Sequence, residues 1–171
     1  EFFTRRKAHH LVDLARRHLG DPLALRVLDV GCGIGMTDAL LASSFGQLHG
    51  IDVAADAVAQ AAERNPTVSY ATYDGGRLPY EDASFDLAFT VCVLHHVERA
   101  DRAAFTAEMA RVVRRGGLVA VFEHNPYNPL TRVAVSRCEF DEGVELLTRA
   151  EATGLLTGAG LEPVERRYIL F

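Results

Sequence analysis

Short apolar runs alternate along the chain with amphipathic stretches, and glycines or polar turns separate them. The first apolar run, residues 27–30, is interrupted only by Asp29, which is typical of a strand buried on both faces of a parallel sheet. The residues after it place apolar groups at helical spacing as far as Gly46, and a parallel strand requires such a crossover helix. Further strands are predicted at Gln47–Asp52, 68–72, Phe85–Val91, 118–122 and from Leu161 towards Leu170. Strands that alternate with helices favour a doubly wound α/β fold, with a mostly parallel sheet and helices on both faces.

Three alternating glycines directly follow the first strand, at Gly31, Gly33 and Gly35. Glycine suits a tight strand-to-helix turn because a Cβ would block both a positive φ and the close approach of a ligand to the main chain. Asp52 ends the second strand roughly 20 residues later, where ribose-binding acids lie in dinucleotide-type folds. Its carboxylate can accept both ribose hydroxyl protons, or it can cap the helix that begins near Ala54. Loop and acid together indicate a site for a nucleotide-type cofactor.

The loop also discriminates between cofactors. The dinucleotide fingerprint needs glycine at the sixth position of the loop, where this chain has Met36. A carboxylate at Asp29 would repel a pyrophosphate, whereas it suits a ligand that carries positive charge. S-adenosylmethionine carries a sulfonium and an ammonium beside one carboxylate. The sequence therefore favours S-adenosylmethionine over NAD(P) as the cofactor. The alternative function is that of an NAD(P)-dependent oxidoreductase.

In these motifs the chain resembles the class I S-adenosylmethionine-dependent methyltransferases of the small-molecule branch. Residues 27–35 are similar to the family's first motif, residues 74–86 to the adenine-binding stretch, 91–97 to the segment beneath the methionine, and 111–118 to the helix, glycine turn and strand that follow. The resemblance implies a Rossmann-like fold, S-adenosylmethionine as cofactor and methyl transfer to a small-molecule acceptor through oxygen, nitrogen or carbon. The cofactor-binding residues that it predicts are Asp29, Gly31, Cys32, Gly33, Gly35, Asp52, Val53, Asp74, Gly75, Val91 and His96.

Acceptor-side residues are expected after the fourth and fifth strands, because the carboxyl ends of parallel strands face the cleft of an open α/β sheet. The candidates are His95, His124, Asn125 and Tyr127. A general base is needed only if the acceptor must lose a proton. For each of the adjacent histidines taken singly, the favoured interpretation is that one shields the cofactor while the other packs or bonds to the backbone. No metal is predicted, since adjacent side chains seldom converge on one ion without further ligands.

Asparagine, proline and tyrosine at 125–127 are similar to a motif of methyltransferases that act on amino groups of nucleobases or glutamine. That motif follows the fourth strand of those enzymes, whereas these residues follow the fifth strand here. Methylation of a nucleobase amino group is therefore not the favoured function. The segment 125–147 is long for a connection between a strand and a helix, and we expect it to select the substrate. A capping box at Thr148 and Glu151 begins the next helix.

The whole chain, residues 1–171, is predicted to form one methyltransferase domain, with residues 1–22 as an amino-terminal helical cap. The cap's cationic residues Arg5, Arg6, Lys7, His9 and His10 are expected on a solvated face. In the alternative, a guanidinium among them meets the cofactor carboxylate. The family continues past a sixth strand into a seventh, while this sequence stops at Phe171, so either the sheet ends early or residues are missing.

Composition changes this interpretation little. A length of 171 residues with 49% hydrophobic residues suits one domain, and the net charge of −5 argues against a nucleic-acid partner. No apolar run is long enough to span a membrane. Cys32, Cys92 and Cys138 lack the spacing of a zinc site, and without a visible signal peptide we expect a cytoplasmic protein. A third possibility, from another functional class, is a non-catalytic module that binds the cofactor.

Overall fold

The computed structural model describes residues 2–137 and 143–169. Within these residues the strands are β1 (Arg26–Val30), β2 (Gln47–Asp52), β3 (Ser69–Thr72), β4 (Phe85–Val91) and β5 (Val113–Phe122). The α-helices of the same residues are α1 (Phe2–His18), α2 (Asp38–Leu41), α3 (Ala55–Arg64), α4 (Arg102–Val112), α5 (Pro129–Val135) and α6 (Arg149–Gly158). Element order and strand bounds match the predicted alternation from β1 to β4 to within one residue.

All neighbouring strands pair in parallel, in the order β3-β2-β1-β4-β5. The predicted doubly wound α/β fold is therefore confirmed. The chain builds outwards from β1 to β3 and then returns to place β4 on the other side of β1. A crevice opens at such a reversal, outside the carboxyl ends of the strands, and ligands of open α/β sheets bind there.

The core lies on both faces of this sheet. Val27 of β1 packs with Leu11 of α1 in one cluster, and its neighbour Leu28 packs with Met109 of α4 in a second cluster. All four side chains are almost completely buried. Burial of each such side chain stabilises the fold by about 1.5–3 kcal/mol. The prediction that residues 27–30 are buried on both faces is confirmed.

Several helix boundaries follow local capping chemistry. The side chain of Asn128 accepts hydrogen bonds from the backbone N–H groups of Leu130 and Thr131, which begins α5 as predicted. The capping box of Thr148 and Glu151 is formed at the start of α6. The helix after the glycine loop is shorter than predicted: α2 ends at Leu41, whereas the apolar spacing continues as far as Gly46.

The predicted sixth strand, from Leu161 towards Leu170, is wrong for the residues that are described, since 161–169 form no regular secondary structure. β5 is the edge of the sheet in this part of the chain. The segment is held against α1 instead, where Glu165 forms an ion pair with Arg17 at 2.9 Å and lies 3.3 Å from His10. Residues 161–169 therefore contact α1 through side chains and do not form the backbone hydrogen bonds of a sixth strand.

Cys138, one of the three cysteines considered above, lies outside the described residues, as do 139–142 of the predicted substrate segment. Among the residues that are described, no helix has both the length and the apolar character that crossing a membrane requires.

Candidate active site

The glycine loop connects β1 to α2 at the centre of the crevice. Gly31, Gly33 and Gly35 all have positive φ, at +83°, +51° and +69°, as predicted from the turn. A Cβ on Gly31 would lie 2.5 Å from the side chain of Val93, and one on Gly35 would lie 2.5 Å from Asn65 Nδ2. A Cβ on Gly33 would meet nothing within 4 Å. The first and third glycines therefore pack against protein, and the open face of the loop is at Gly33.

The carboxylate of Asp52 stands at this open face. Its Oδ2 accepts a hydrogen bond from the N–H of Gly33 at 2.8 Å, and its Oδ1 accepts one from the N–H of Ala54 at 3.0 Å. Asp52 is not the N-cap residue of α3, which is Ala54. A hydrogen bond thus connects the end of β2 to the glycine loop, so one cofactor could contact both.

The remaining residues predicted near the adenine also come together. Val53 follows β2 with 60% of its surface exposed. Asp74 follows β3 and accepts a hydrogen bond from the N–H of Gly76 at 2.9 Å. A Cβ on Gly75 would lie 3.6 Å from the side chain of Val53, so the ends of β2 and β3 are adjacent. These residues border the loop on the side away from β4.

Asp29 does not play the electrostatic role that the sequence indicated. Its side chain is buried beneath the loop with that of Asp38, and the residues are 2% and 0% exposed. Burial and the neighbouring Asp38 raise the pKa of Asp29 well above its usual range. The expectation that the carboxylate of Asp29 stands beside the ligand is therefore not met, because this side chain is buried next to that of Asp38 and burial disfavours its charged form.

A network of buried polar side chains supports the loop from below. The hydroxyl of Tyr70 donates to Asp38 Oδ2 at 2.8 Å, and Asn65 Nδ2 donates both to the hydroxyl of Tyr70 and to the carbonyl of Gly35, each at 2.9 Å. Burial also keeps the thiol of Cys32 neutral by raising its pKa. The backbone of the loop is thus fixed by α3 and β3 as well as by β1.

The buried acids give the protein a specific dependence on pH. Burial raises the pKa of Asp38 from 3.8 to about 6. An acid with a raised folded-state pKa stabilises the fold below its unfolded-state pKa and loses this contribution as pH rises through the folded-state value. Between pH 4 and 7 we therefore expect wild type to lose on the order of 2–3 kcal/mol of unfolding free energy relative to Asp38→Asn. Urea unfolding of both proteins across this range measures the difference, and parallel curves would contradict it.

A second buried group lies at the ends of β4 and β5. Glu123 Oε1 accepts hydrogen bonds from the N–H groups of Val93 and Leu94, at 3.1 and 2.8 Å. Its Oε2 lies 2.6 Å from His95 Nδ1. Since a carboxylate only accepts, Nδ1 carries the proton of this bond. The side chain of His95 has no exposed surface, so the prediction that it faces the acceptor is wrong in this arrangement.

His95 nevertheless brings the predicted histidines together. Its ring centroid lies 4.2 Å from that of His96 and 5.1 Å from that of His124. His96 is exposed and His124 is half-buried. Within residues 2–137 and 143–169 no group of three His, Cys, Asp or Glu side chains is arranged to hold a metal ion.

A cavity of about 440 Å³ adjoins this cluster along β5. Most of its lining surface is apolar and includes Leu118, Phe122 and Leu156. Polar and charged side chains also line it, among them Lys7, Glu123, His124, Asn125 and Asn128. Tyr127 is not among the lining residues and is 69% exposed. Of the four acceptor-side candidates, the structure thus places His124 and Asn125 at a cavity and leaves His95 and Tyr127 away from it.

Asp38 and Glu123 were not predicted as site residues, and Lys7 was expected on a solvated face. Asp38 meets Tyr70 across 32 positions, Glu123 meets His95 across 28, and Lys7 reaches Cys92 across 85. No local pattern indicates such contacts. The one available signal was the position of Glu123 directly beside His124 at the end of a predicted strand.

Comparisons with known proteins identify methyltransferases as relatives of this chain. A sequence model described as a methyltransferase domain matches residues 28–121, over half of the chain. The chain is 37% identical over 108 residues to a 2-methyl-6-phytyl-1,4-hydroquinone methyltransferase of Synechocystis, which is 61% of this chain and 33% of that protein. It therefore spans about a third of that relative's length.

Solved structures show the same fold. A SAM-dependent methyltransferase of Thermotoga maritima superposes with a TM-score of 0.71 at 22% identity, over 95% of this chain and 74% of that one. An amino pentose methyltransferase of Micromonospora echinaspora, solved with SAM bound, has a TM-score of 0.63 at 26% identity, over 72% of this chain and 52% of that one.

Proposed function

The chain belongs to the class I S-adenosylmethionine-dependent methyltransferase family, and on this premise we propose that it transfers a methyl group from S-adenosylmethionine to a small-molecule acceptor. One observation carries the proposal: the carboxylate of Asp52 is bonded to the N–H of Gly33 at the only one of the three loop glycines that faces open space. Carboxylate and glycine backbone are thus placed together where a nucleoside can approach.

Different residues around the loop would contact the ribose, the adenine and the methionine of the cofactor. Asp52 would accept the ribose hydroxyl protons, and Asp74 with Gly75 would meet the adenine beside the exposed side chain of Val53. The end of β4, from Val91 to His96, would lie beside the methionine. Cys32, although its side chain is largely buried, would contribute loop backbone.

The acceptor would enter the cavity along β5. This cavity is mostly apolar and has polar lining residues that include His124 and Asn125, which suits a small molecule with a polar reactive atom. The described part of the predicted substrate segment, including Asn128, lines the same cavity. The similar enzymes named above act on a hydroquinone and an amino pentose, both small molecules.

The protein's chemical contribution is positioning and, where the acceptor must lose a proton, proton transfer. When bound, the cofactor supplies an activated methyl group on a sulfonium. The cavity walls would hold the acceptor in line and exclude water. His124 would accept the acceptor's proton, while the bond from His95 to Glu123 fixes the ring against which His124 packs. His95 is thus a positioning residue.

We expect His124→Ala to lower turnover by about 10²–10⁴-fold while leaving cofactor affinity within about twofold, because general acid–base catalysis contributes that much. His18→Ala is the control, since His18 is an exposed histidine on α1. Single-turnover rates and calorimetric titrations with S-adenosylhomocysteine measure the two quantities. Normal turnover in His124→Ala would remove this residue from the site.

Calorimetric titration of the protein with S-adenosylmethionine and with NAD tests the proposed cofactor. We expect saturable binding of S-adenosylmethionine and none of NAD; the opposite result would establish the oxidoreductase alternative. Transfer of a labelled methyl group to a panel of small hydroxy, amino and hydroquinone compounds then tests the activity. Cofactor binding without transfer to any acceptor would favour a non-catalytic module.

A further inference from the structure

One cation of α1, Lys7, reaches the residue that follows β4 and also lines the cavity along β5. Lys7 is half-buried, and its Nζ lies 2.8 Å from Sγ of Cys92. The preceding residues Arg5 and Arg6 are exposed. The expectation that the whole cationic set lies on a solvated face therefore fails at Lys7, and also at His10, whose side chain is 12% exposed, because these positions on the helix face the sheet.

The contact partner of Lys7 lies at the methionine end of the site. Cys92 directly follows β4, has a positive φ of +59° and donates its N–H to the carbonyl of Phe122 at 2.7 Å. The next residue, Val93, packs so closely on Gly31 that a Cβ there would lie 2.5 Å from it. Lys7 thus stands where the end of β4 meets the glycine loop, on the opposite side of β1 from Asp52.

The ammonium of Lys7 has little to compensate its charge. It carries three N–H donors, and a thiol sulfur is only a weak acceptor. Among residues 2–137 and 143–169, no carboxylate forms an ion pair with it. The acid of the loop, Asp29, is 2% exposed, and burial and the neighbouring Asp38 raise its pKa well above its usual range, which disfavours a compensating charge there. A half-buried cation in this state favours an anion at the crevice.

We propose that Lys7 binds the carboxylate of the cofactor's methionine moiety. The inference rests on the proposed function, in which Asp52 holds the ribose. A cofactor held with its ribose at Asp52 and its sulfonium near the end of β4 would leave its carboxylate free to reach a cation beyond β4, where Lys7 contacts Cys92. Lys7 supplies the opposite charge there, and α1 becomes part of the cofactor site as well as a cap on the sheet.

Two ligands that differ in the amino-acid moiety test this role. S-adenosylhomocysteine has the carboxylate, whereas 5′-methylthioadenosine has the same nucleoside and a thioether but no amino-acid group. By calorimetric titration we expect Lys7→Gln to weaken S-adenosylhomocysteine binding by roughly ten- to a hundredfold, the effect of losing one charge-assisted hydrogen bond. Binding of 5′-methylthioadenosine should stay within about twofold. Arg6→Gln, which removes the exposed neighbouring charge, should change neither ligand.

Lys7→Arg is the control for a loss of affinity in Lys7→Gln that comes from a change in structure and not from the loss of charge. It keeps the positive charge, so we expect it to retain S-adenosylhomocysteine affinity within several-fold of wild type, and it remains informative if Lys7→Gln does not fold. Equal losses for both ligands in Lys7→Gln, or unchanged S-adenosylhomocysteine affinity, would overturn the assignment of Lys7 alone. Failure of wild type to bind either ligand would overturn the proposed function, and this inference with it.

Discussion

Replacement of Asp52 by alanine is expected to reduce the affinity for S-adenosylmethionine by at least about a hundredfold. Each charge-assisted hydrogen bond of a carboxylate contributes about 1.5–3 kcal/mol. Asp52 would make two such bonds to the ribose, so the loss should be about 3 kcal/mol or more. The variant also releases the N–H of Gly33, which is held by Asp52 Oδ2 at 2.8 Å, and thereby loosens the loop at its open face.

The structure offers matched controls for Asp52→Ala. Glu63→Ala removes an exposed acid from α3 and leaves the loop untouched, so its affinity should equal that of wild type. Asp52→Asn keeps an acceptor for the N–H of Gly33 but loses the charge, and we expect an intermediate affinity. Calorimetric titration ranks the three variants. Equal affinities of Asp52→Ala and Glu63→Ala would show that the ribose lies elsewhere.

The strands of this fold were predictable because their signals are local. β4 has the predicted bounds, Phe85–Val91, since an apolar run between polar turns is visible in the sequence itself. The glycine loop was predictable for the same reason, as its three positive φ angles are required by one short turn. Because parallel strands align their carboxyl ends, predicting the strands also predicted that the glycine loop and Asp52 would meet there.

Protonation and burial were not predictable from residue types. Asp29 and Asp52 are both acids at strand ends, yet one is buried beside Asp38 and the other stands at the open face of the loop. His95 and His96 are adjacent in sequence, and only the contact with Glu123 makes one of them internal. Such differences depend on partners far away along the chain, which no local pattern reports.

A long-range contact that no local pattern indicates also decides the structure of residues 161–169. A strand was predicted after Gly160, but the ion pair of Glu165 with Arg17 holds residues 161–169 against α1. At the edge of a sheet, pairing with β5 competes with any other contact of comparable strength. The sequence indicates the tendency to form a strand and does not contain the outcome of that competition.

Gly31→Ala is expected to destabilise the protein by about 2–5 kcal/mol and to weaken cofactor binding at least tenfold. A left-handed φ costs a residue with a Cβ about 1–2 kcal/mol, and overpacking a filled site costs about 1–3 kcal/mol more. Both apply at Gly31, where φ is +83° and a Cβ would lie 2.5 Å from Val93 Cγ2. To relieve the clash, the end of β4 must move away from the loop, and the methionine side of the cofactor site moves with it.

Gly33→Ala separates the two costs. Its φ of +51° carries the conformational penalty, but a Cβ there meets nothing within 4 Å. We therefore expect a stability loss of about 1–2 kcal/mol, together with weaker cofactor binding because the methyl group occupies the open face of the loop. Thermal unfolding and calorimetric titration give both quantities for each variant, and equal stability losses in the two glycine variants would contradict this division.

A double-mutant cycle assigns the larger cost of Gly31→Ala to one contact. Val93→Ala removes the two methyl carbons that a Cβ on Gly31 would meet at 2.5 and 2.9 Å. In the Gly31→Ala background we expect this second change to restore about 1 kcal/mol or more of stability, although in wild type it creates a small cavity and destabilises. A coupling energy of the opposite sign, or of zero, would place the strain of the alanine in the loop backbone itself. Restored stability with restored cofactor affinity would show that the spacing between the loop and the end of β4 is what the first glycine maintains.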